Sequence, residues 1–542
     1  MAGSPSELEA KADPDSGAEP PHLSFTLLAL ALLMMAVVLN VTSLSSALPT
    51  ISHDLGITAV QTFWVGTSSL ISSTSFQPVF GSLSSIVGRK PMMLIAIASF
   101  TGGTVIASRA SKATALLVGR SIQGLGAGGI TNLSEVILTD LVPLRLRGRY
   151  LACLNSVWAI GSTSGPVIGA AFAQEVTWRW IFYINLPLIG VGFCLMIIFT
   201  KLQPLGTSLR HKLRDVDCGG ILLFTTGITT ILIPITWGGI MFPWGSWHTL
   251  TPLVVGSATL LIFVAYETFT SARPVIPLTL FRTRTLLVSY VGTATHGLIL
   301  SCGLYYLPFY FQAVKGYSPI LSGVALFPVT CTVLPGAMAT GILISRTGRY
   351  RGVVWAGWLL VSLGLGLNCL VNLDTPNIVW IVSLVVLGLG VGILFSALNI
   401  VVLAAATMHP EQGSAATMFT FFRALGQTLG VAIGGTIFAN RVRANLLTQA
   451  AVANVRDDVV GNHQVDLVAL VPLINQISDP TMQQQIRKVY VDALRVVWAF
   501  CSAIAGVAGF LSLGMQHYEL SHRVVTQQAL QGNSPKSPSE SK

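Results

Sequence analysis

Several ionisable side chains stand inside long apolar stretches or at their ends, where charge or proton chemistry is possible. Arg120 lies about seven residues into the stretch 113–138. A cation at that depth in hydrocarbon costs at least ~2.5–3.5 kcal/mol, which makes it a functional candidate by default. The bland alternatives are a structural salt bridge or a clamp of carbonyls. Glu135 lies in the same stretch near its end, and Asp140 follows it. A carboxyl in low dielectric can take up and release a proton near neutral pH. Glu135 is therefore the leading proton carrier, ahead of Glu267 and Asp217 at the ends of other stretches. Arg120 and Glu135 are about 22 Å apart along a helix rising 1.5 Å per residue, so they cannot pair directly. Arg423, about eight residues into the stretch 415–438, is a second such cation. It links either to lipid phosphate or a neighbouring carbonyl, or to the function itself.

Other chemistries find no support. No GxxxxGK[ST] phosphate loop occurs, so nothing points to ATP. The seven cysteines are scattered without CxxC spacing and the nine histidines do not cluster, so neither a metal nor another cofactor is implied. Gly124, Gly126 and Gly129 have GxGxxG spacing. A dinucleotide fingerprint needs a preceding strand, so inside an apolar stretch they read as helix packing.

The elements that must hold these residues are membrane spans. The 542 residues are 52% hydrophobic and 10% charged, with mean hydropathy +0.70; a soluble chain is nearer 25% charged. Apolar stretches long enough to cross a bilayer of roughly 30 Å are placed at 25–46, 62–83, 92–108, 113–138, 151–173, 181–200, 217–237, 250–270, 286–310, 320–345, 352–372, 377–403, 415–438 and 494–516. The fold class is thus an all-α polytopic membrane protein of fourteen helices. The first stretch follows an acidic tail rather than the basic start of a signal peptide, and is kept as a span.

With both termini in the cytosol, the short inner loops hold fifteen Lys and Arg (Arg89, Lys90, Arg145, Arg147, Arg149, Lys201, Arg210, Lys212, Arg214, Arg273, Arg282, Arg284, Arg346, Arg349 and Arg351). The short outer loops hold four, Arg109, Lys112, Arg179 and Lys315. That asymmetry sets orientation and accounts for most of the +10 net charge, so no nucleic-acid partner is implied.

The chain also repeats itself. Gly81, Leu83, Ser85, Gly88 and Arg89 recur as Gly341, Leu343, Ser345, Gly348 and Arg349. Gly161, Thr163, Gly165, Ile168 and Gly169 recur as Gly426, Thr428, Gly430, Ile433 and Gly434. Both matches shift the pattern by eight helices, where two plain six-helix halves would shift it by six. Two helices are therefore inserted between parallel repeats. The expected organisation is a disordered cytosolic tail (1–24), a six-helix bundle (25–200), a loop with two inserted helices (201–270), a second bundle (271–518) with a long outer loop (439–493), and a second tail (519–542). Asp479 and Pro480 predict a helix start, with a short helix leading into the last span.

Gly161, Gly165 and Gly169 fall on one helix face and form a groove for close helix contact. Pro166 bends the helix where neighbours satisfy the freed carbonyl.

With these motifs in view, the chain resembles the major facilitator superfamily. "GSLSSIVGRK" resembles its loop between helices 2 and 3, "GRSIQGLGAGG" its Arg-x-x-Gln-Gly fourth helix, and "GSTSGPVIGAAF" the fifth-helix motif of its antiporters. "WRWIFYINLP", "DLVPLRLRGRY" and "YYLPFYFQAVKGYSPILSGVALFP" are similar to the fourteen-helix drug:proton branch, in particular fungal toxin and secondary-metabolite efflux pumps. The resemblance implies coupling roles for Arg120 and Gln123, facing a cavity. It implies a pliable seam at Gly161, Gly165, Pro166 and Gly169 that biases the protein toward export, and a gate at Gly81, Gly88 and Arg89. Two departures matter. The loop acid is Ser85, so Asp140 or helix-end carbonyls must substitute in the gate. The first-helix acid of "VVLNVTSLSSALPTI" is Asn40, which cannot carry a proton.

By the repeat, the first, fourth, ninth and twelfth helices are central. This nominates Asn132, His296, Tyr305, Tyr306 and Asn399, beside Asn40 and Gln123, as cavity residues. The expected function is export of small organic molecules by proton antiport, with the plasma membrane expected ahead of a vacuolar or vesicular one. An uptake symporter of the same fold is the runner-up, and a membrane receptor or enzyme the third class.

Overall fold

The computed structural model describes residues 21–142, 144–200, 202, 216–239, 241–269, 274–406, 412–448, 474 and 479–518. The expected disorder of 1–20 and 519–542, the basic loop residues Lys201, Arg210, Lys212, Arg214 and Arg273, and 449–473 of the outer loop lie outside the described residues. So do the side chains of Arg145, Arg147 and Arg149.

Each predicted stretch is helical among the described residues, with no strand. In chain order these are α1 (Pro21–Leu55), α2 (Ala59–Val87), α3 (Arg89–Ser108), α4 (Ala113–Leu141) and α5 (Leu144–Ala171). They continue with α6 (Trp180–Phe199), α7 (Cys218–Trp237), α8 (Trp247–Phe269), α9 (Arg284–Val314) and α10 (Pro319–Thr347). The last four are α11 (Arg351–Asn368), α12 (Asn377–Ala405), α13 (Gln412–Thr448) and α14 (Pro480–Ser512). Ten of them are long and apolar enough to cross a membrane by length and composition; α2, α4, α5 and α11 fall below that measure. In α4 the reason is visible: it is buried on nearly every side from Gly119 to Thr139, so its polar groups meet protein instead of lipid.

Local sequence sets the ends. Thr58 and Gln61 form a reciprocal capping box at the start of α2, satisfying two otherwise orphaned amides. Asp479 Oδ1 accepts from the Thr481 amide at 2.9 Å, with Pro480 at the first helical position. Three expectations change here. The lead-in helix is not separate but continuous with α14, and the stretch 439–448 of the expected outer loop continues α13. Residues 21–24 of the expected tail likewise belong to α1, where Pro21 suits a first turn that needs no intrahelical amide.

Packing repeats at a shift of eight. In the first part α1 packs on α5, and α4 on α2 and α3; in the second, α9 packs on α13, and α12 on α10 and α11. Helices α7 and α8 pair with each other, and α7 also touches α2 and α13. The two parts meet through α2 with α13, α4 with α13, and α5 with α10.

The repeated glycines Gly88 and Gly348 both end a helix at positive φ. Gly88, between α2 and α3, has φ 122° and ψ 151°, a region open essentially to glycine alone. Gly348 closes α10 at φ 67° and ψ 0°, the left-handed cap where Asn is also tolerated. Gly88→Ala is therefore expected to cost about 1–3 kcal/mol, more than Gly348→Ala. Thermal unfolding of the two purified variants checks the order, and equal melting temperatures contradict it.

Candidate functional site

Arg120 is 1% exposed, and α1, α2 and α4 supply its partners. Its Nη1 donates to Asn40 Oδ1 at 2.5 Å and Gln123 Oε1 at 2.9 Å. Its Nη2 donates to Ser69 Oγ at 2.7 Å, and its Nε to the Val65 carbonyl at 3.2 Å. Gln123 passes the chain on, donating to Thr104 Oγ1 of α3 at 2.7 Å. Helical spacing puts Arg120 and Gln123 on one face, and the remaining contacts come from neighbouring helices. Every acceptor is neutral, and none of the ion pairs among the described residues involves Arg120.

Glu135 and Arg423, which stand 288 residues apart in sequence, meet in the interior. Arg423 Nη2 lies 2.7 Å from Glu135 Oε1, with side chains 7% and 4% exposed. Asn399 Nδ2 donates to Glu135 Oε2 at 3.1 Å. The Arg423 guanidinium sits over the rings of Phe395 at 4.5 Å and Phe419 at 4.9 Å, an electrostatic attraction to the ring faces. Arg423 thus joins the other half's carboxylate, where the sequence suggested lipid phosphate or a nearby carbonyl. Asn132 adds a neighbouring bridge, taking a hydrogen bond from Thr420 at 3.2 Å and donating to the Gln77 carbonyl at 2.8 Å.

Beside both networks is a cavity of about 180 Å³ walled by α1, α2, α4 and α5 from one part and α9 and α13 from the other. Its surface is mostly apolar with a few polar groups, the usual character of a small-molecule site. Asn40, Gln123, Tyr305, Arg423 and Pro166 are in its wall. The other nominated residues lie outside that lining. His296 points at the Val391 carbonyl at 3.1 Å and packs edge-on against Phe395. Tyr306 donates to the Val431 carbonyl at 2.7 Å. Asn132 and Asn399 serve the bridges just described.

The sequence reading passed over much of the α2 wall. Ser69, Ser73 and Gln77 line the cavity at intervals of four, the spacing of one helix face; that polar stripe in an apolar stretch was the available signal. Trp158 of α5 and Gln427 of α13 also line it, and nothing in their local sequence marks them.

The glycine groove is filled by α1. A Cβ on Gly161 would come 2.9 Å from Val38 Cγ1, one on Gly165 would overlap Thr42 Oγ1, and one on Gly169 would overlap the Ser43 carbonyl. Thr42 Oγ1 hydrogen-bonds the carbonyls of Val38 and Gly161, at 2.8 and 3.2 Å. The repeat copies Gly426 and Gly430 press in the same way on Ala294 and Leu298 of α9. Gly124 and Gly126 approach the backbones of Ser69 and Phe100, so the GxGxxG spacing is helix packing.

At the basic end, Arg89 Nε pairs with Asp140 Oδ2 at 3.1 Å and its Nη1 donates to Ser84. Lys90 Nζ donates to the carbonyls of Ile197 and Thr200 at 2.8 and 2.9 Å, at the end of α6. Arg89 thus meets an acid and Lys90 helix-end carbonyls, while Ser85, the position of the loop acid, donates to the Ser82 carbonyl at 2.7 Å. Gly81 of α2 lies directly against Thr417 of α13. At the opposite end, Asp54 accepts from Trp178 Nε1 at 2.8 Å and Arg179 Nη1 at 3.2 Å. The Trp178 bond is the largest influence and holds that carboxyl below the usual range; burial, next in size, pushes the other way, and Arg179 adds to the lowering.

Comparison with known proteins agrees with this architecture. The family model described as Major Facilitator Superfamily matches residues 30–431. The chain is 43% identical over 507 residues to "MFS transporter L2" of a Phoma species, covering 94% of this chain and 84% of that one. It is 35% identical over 505 residues to "Efflux pump FUS6" of Gibberella moniliformis, covering 91% and 88%. A bacterial homologue of the human lysosomal transporter Spinster, solved inward-facing and unoccupied, superposes with a TM-score of 0.58. It covers 92% of this chain and 99% of that chain at 13% identity, a likeness of fold.

Proposed function

The chain belongs to the Major Facilitator Superfamily, a multi-pass membrane transporter of small molecules, and from that premise we propose that it exports small organic molecules by proton antiport. The observation that carries this reading is the cavity walled by both repeated parts, with the buried Glu135–Arg423 pair beside it joining one part to the other. A pair that spans the two parts must break for them to separate there. A proton reaching Glu135 removes its charge and weakens its hold on Arg423, linking proton entry to opening. Export as the direction is supported by relatives named efflux pumps that match most of the chain.

In this reading Gln123 and Asn40 shape the cavity wall, with Arg120 held behind them. Gly161, Gly165, Gly169 and Pro166 form the seam against α1. Gly81, Gly88 and Arg89 form the gate at the cytosolic end. The bundles 25–200 and 271–518 rock about the cavity, with 201–270 as the inserted pair. All fourteen helices span, both termini are cytosolic, the plasma membrane is the site of action, and no ATP is used.

Cells expressing the chain, loaded with a panel of small organic acids, amines and neutral aromatics, are expected to retain less of at least one compound than control cells. A protonophore should erase the difference, and Glu135→Gln should abolish uphill export while leaving binding intact. Retention unchanged across the panel overturns export. Raised accumulation identifies an uptake symporter, and export that survives the protonophore removes the proton.

A further inference from the structure

Behind the cavity wall stands a charge without a counter-charge, and in the wall are donors without acceptors. Arg120 is buried among neutral partners, and Glu135, about 22 Å further along the same helix, is engaged by Arg423 and Asn399. An isolated buried charge is costly unless something compensates it. A guanidinium has only donors, so Arg120 takes the oxygen of the Asn40 amide and fixes which way that amide faces. The nitrogen is left over: Asn40 Nδ2 is buried with no hydrogen-bond partner, on a residue 2% exposed that lines the cavity. Arg423 repeats the arrangement from α13. Its Nη2 holds Glu135, its Nη1 has no partner, and it lines the same cavity. Beside these donors, the wall's lining also includes a fully buried acceptor without a partner, Gln77 Oε1.

We propose that the cargo is an organic anion, a carboxylate, enolate or phenolate, whose charged oxygen is received by Asn40 Nδ2 beside Arg120, with Arg423 Nη1 as a second donor for cargo long enough to reach it. The proposal rests on the transport reading above and narrows its substrate class. Unpaired buried donors lose most when left unsatisfied, and an anionic acceptor makes the stronger hydrogen bond with them. The charge on Arg120 polarises the Asn40 amide and sharpens that preference. Gln77 Oε1 suits a hydroxyl on the same molecule. An acid at position 40 would reverse the site, neutralising Arg120 and presenting acceptors only.

Three probes with one ring system separate the alternatives: 2-naphthoate, 2-naphthamide and 2-naphthylmethylammonium, titrated at neutral pH into the purified full chain in lipid nanodiscs. Equilibrium dialysis measures binding, and no gradient is present. The parent is expected to bind the naphthoate at least about tenfold more tightly than the amide or the ammonium, a difference of about 1.4 kcal/mol. Asn40→Asp should lose that preference while keeping its melting temperature, because the new carboxylate pairs with Arg120. Asn40→Leu should weaken the naphthoate and leave the amide less affected. Equal binding of the three probes, preference for the ammonium, no binding of any, or an Asn40→Asp variant that keeps the anion preference each overturns the proposal. A retained anion preference in a chain that leaves cellular retention unchanged overturns export instead and leaves the anion site standing.

Discussion

Arg423→Leu is expected to destabilise the folded protein by about 3–5 kcal/mol and to abolish transport, because it strands a buried carboxylate. Glu135 is 4% exposed and lies 2.7 Å from the guanidinium. Without Arg423 it keeps one hydrogen bond, from Asn399. The substitution also removes the cation from the faces of Phe395 and Phe419. The double variant Glu135→Leu with Arg423→Leu should recover most of the lost stability, since apolar residues often replace a buried pair at little cost. It should not recover transport, because no titrating group remains at the junction of the two parts. Thermal unfolding in detergent and proteoliposome flux read the two effects separately. A single variant as stable as the parent contradicts the buried-charge account, and a double variant that pumps normally makes the pair structural.

Gly165→Leu is expected to remove transport while leaving membrane insertion intact. A Cβ at Gly165 already overlaps Thr42 Oγ1 and lies 3.2 Å from the Ser43 amide nitrogen, so a leucine holds α5 off α1. Interior packing tolerates little added volume, and in lipid small residues are what allow helices to approach. Gly161→Leu meets Val38 Cγ1 at 2.9 Å and should act in the same direction. Gly102→Ala is the control, with nothing within 4 Å of its added methyl, and should transport normally. Surface labelling confirms insertion and substrate flux reports the effect. Normal flux from a correctly inserted Gly165→Leu protein would remove the seam from the mechanism.

What the sequence determined by itself is local or periodic. Runs of apolar residues placed the helices, because a span must satisfy its own backbone along its own length. Two short repeats gave the shift of eight helices, seen again in the pairing of α1 with α5 and α9 with α13. Asp479 and Pro480 marked a helix start, because a cap acts within one turn. Arg120, Glu135 and Arg423 stood out through the cost of charge in an apolar stretch. Their partners did not. Whether Arg120 meets an acid, and whether Arg423 meets Glu135 across 288 residues, depends on which helices lie side by side and how each is rotated. That is decided by packing summed over whole helix faces, and no short segment carries it. The same holds for the cavity. Of the nominated polar residues, Asn40, Gln123 and Tyr305 reach its wall, while His296 and Tyr306 turn to backbone carbonyls. Residue type records that a polar group needs a partner, and only the tertiary structure supplies which one.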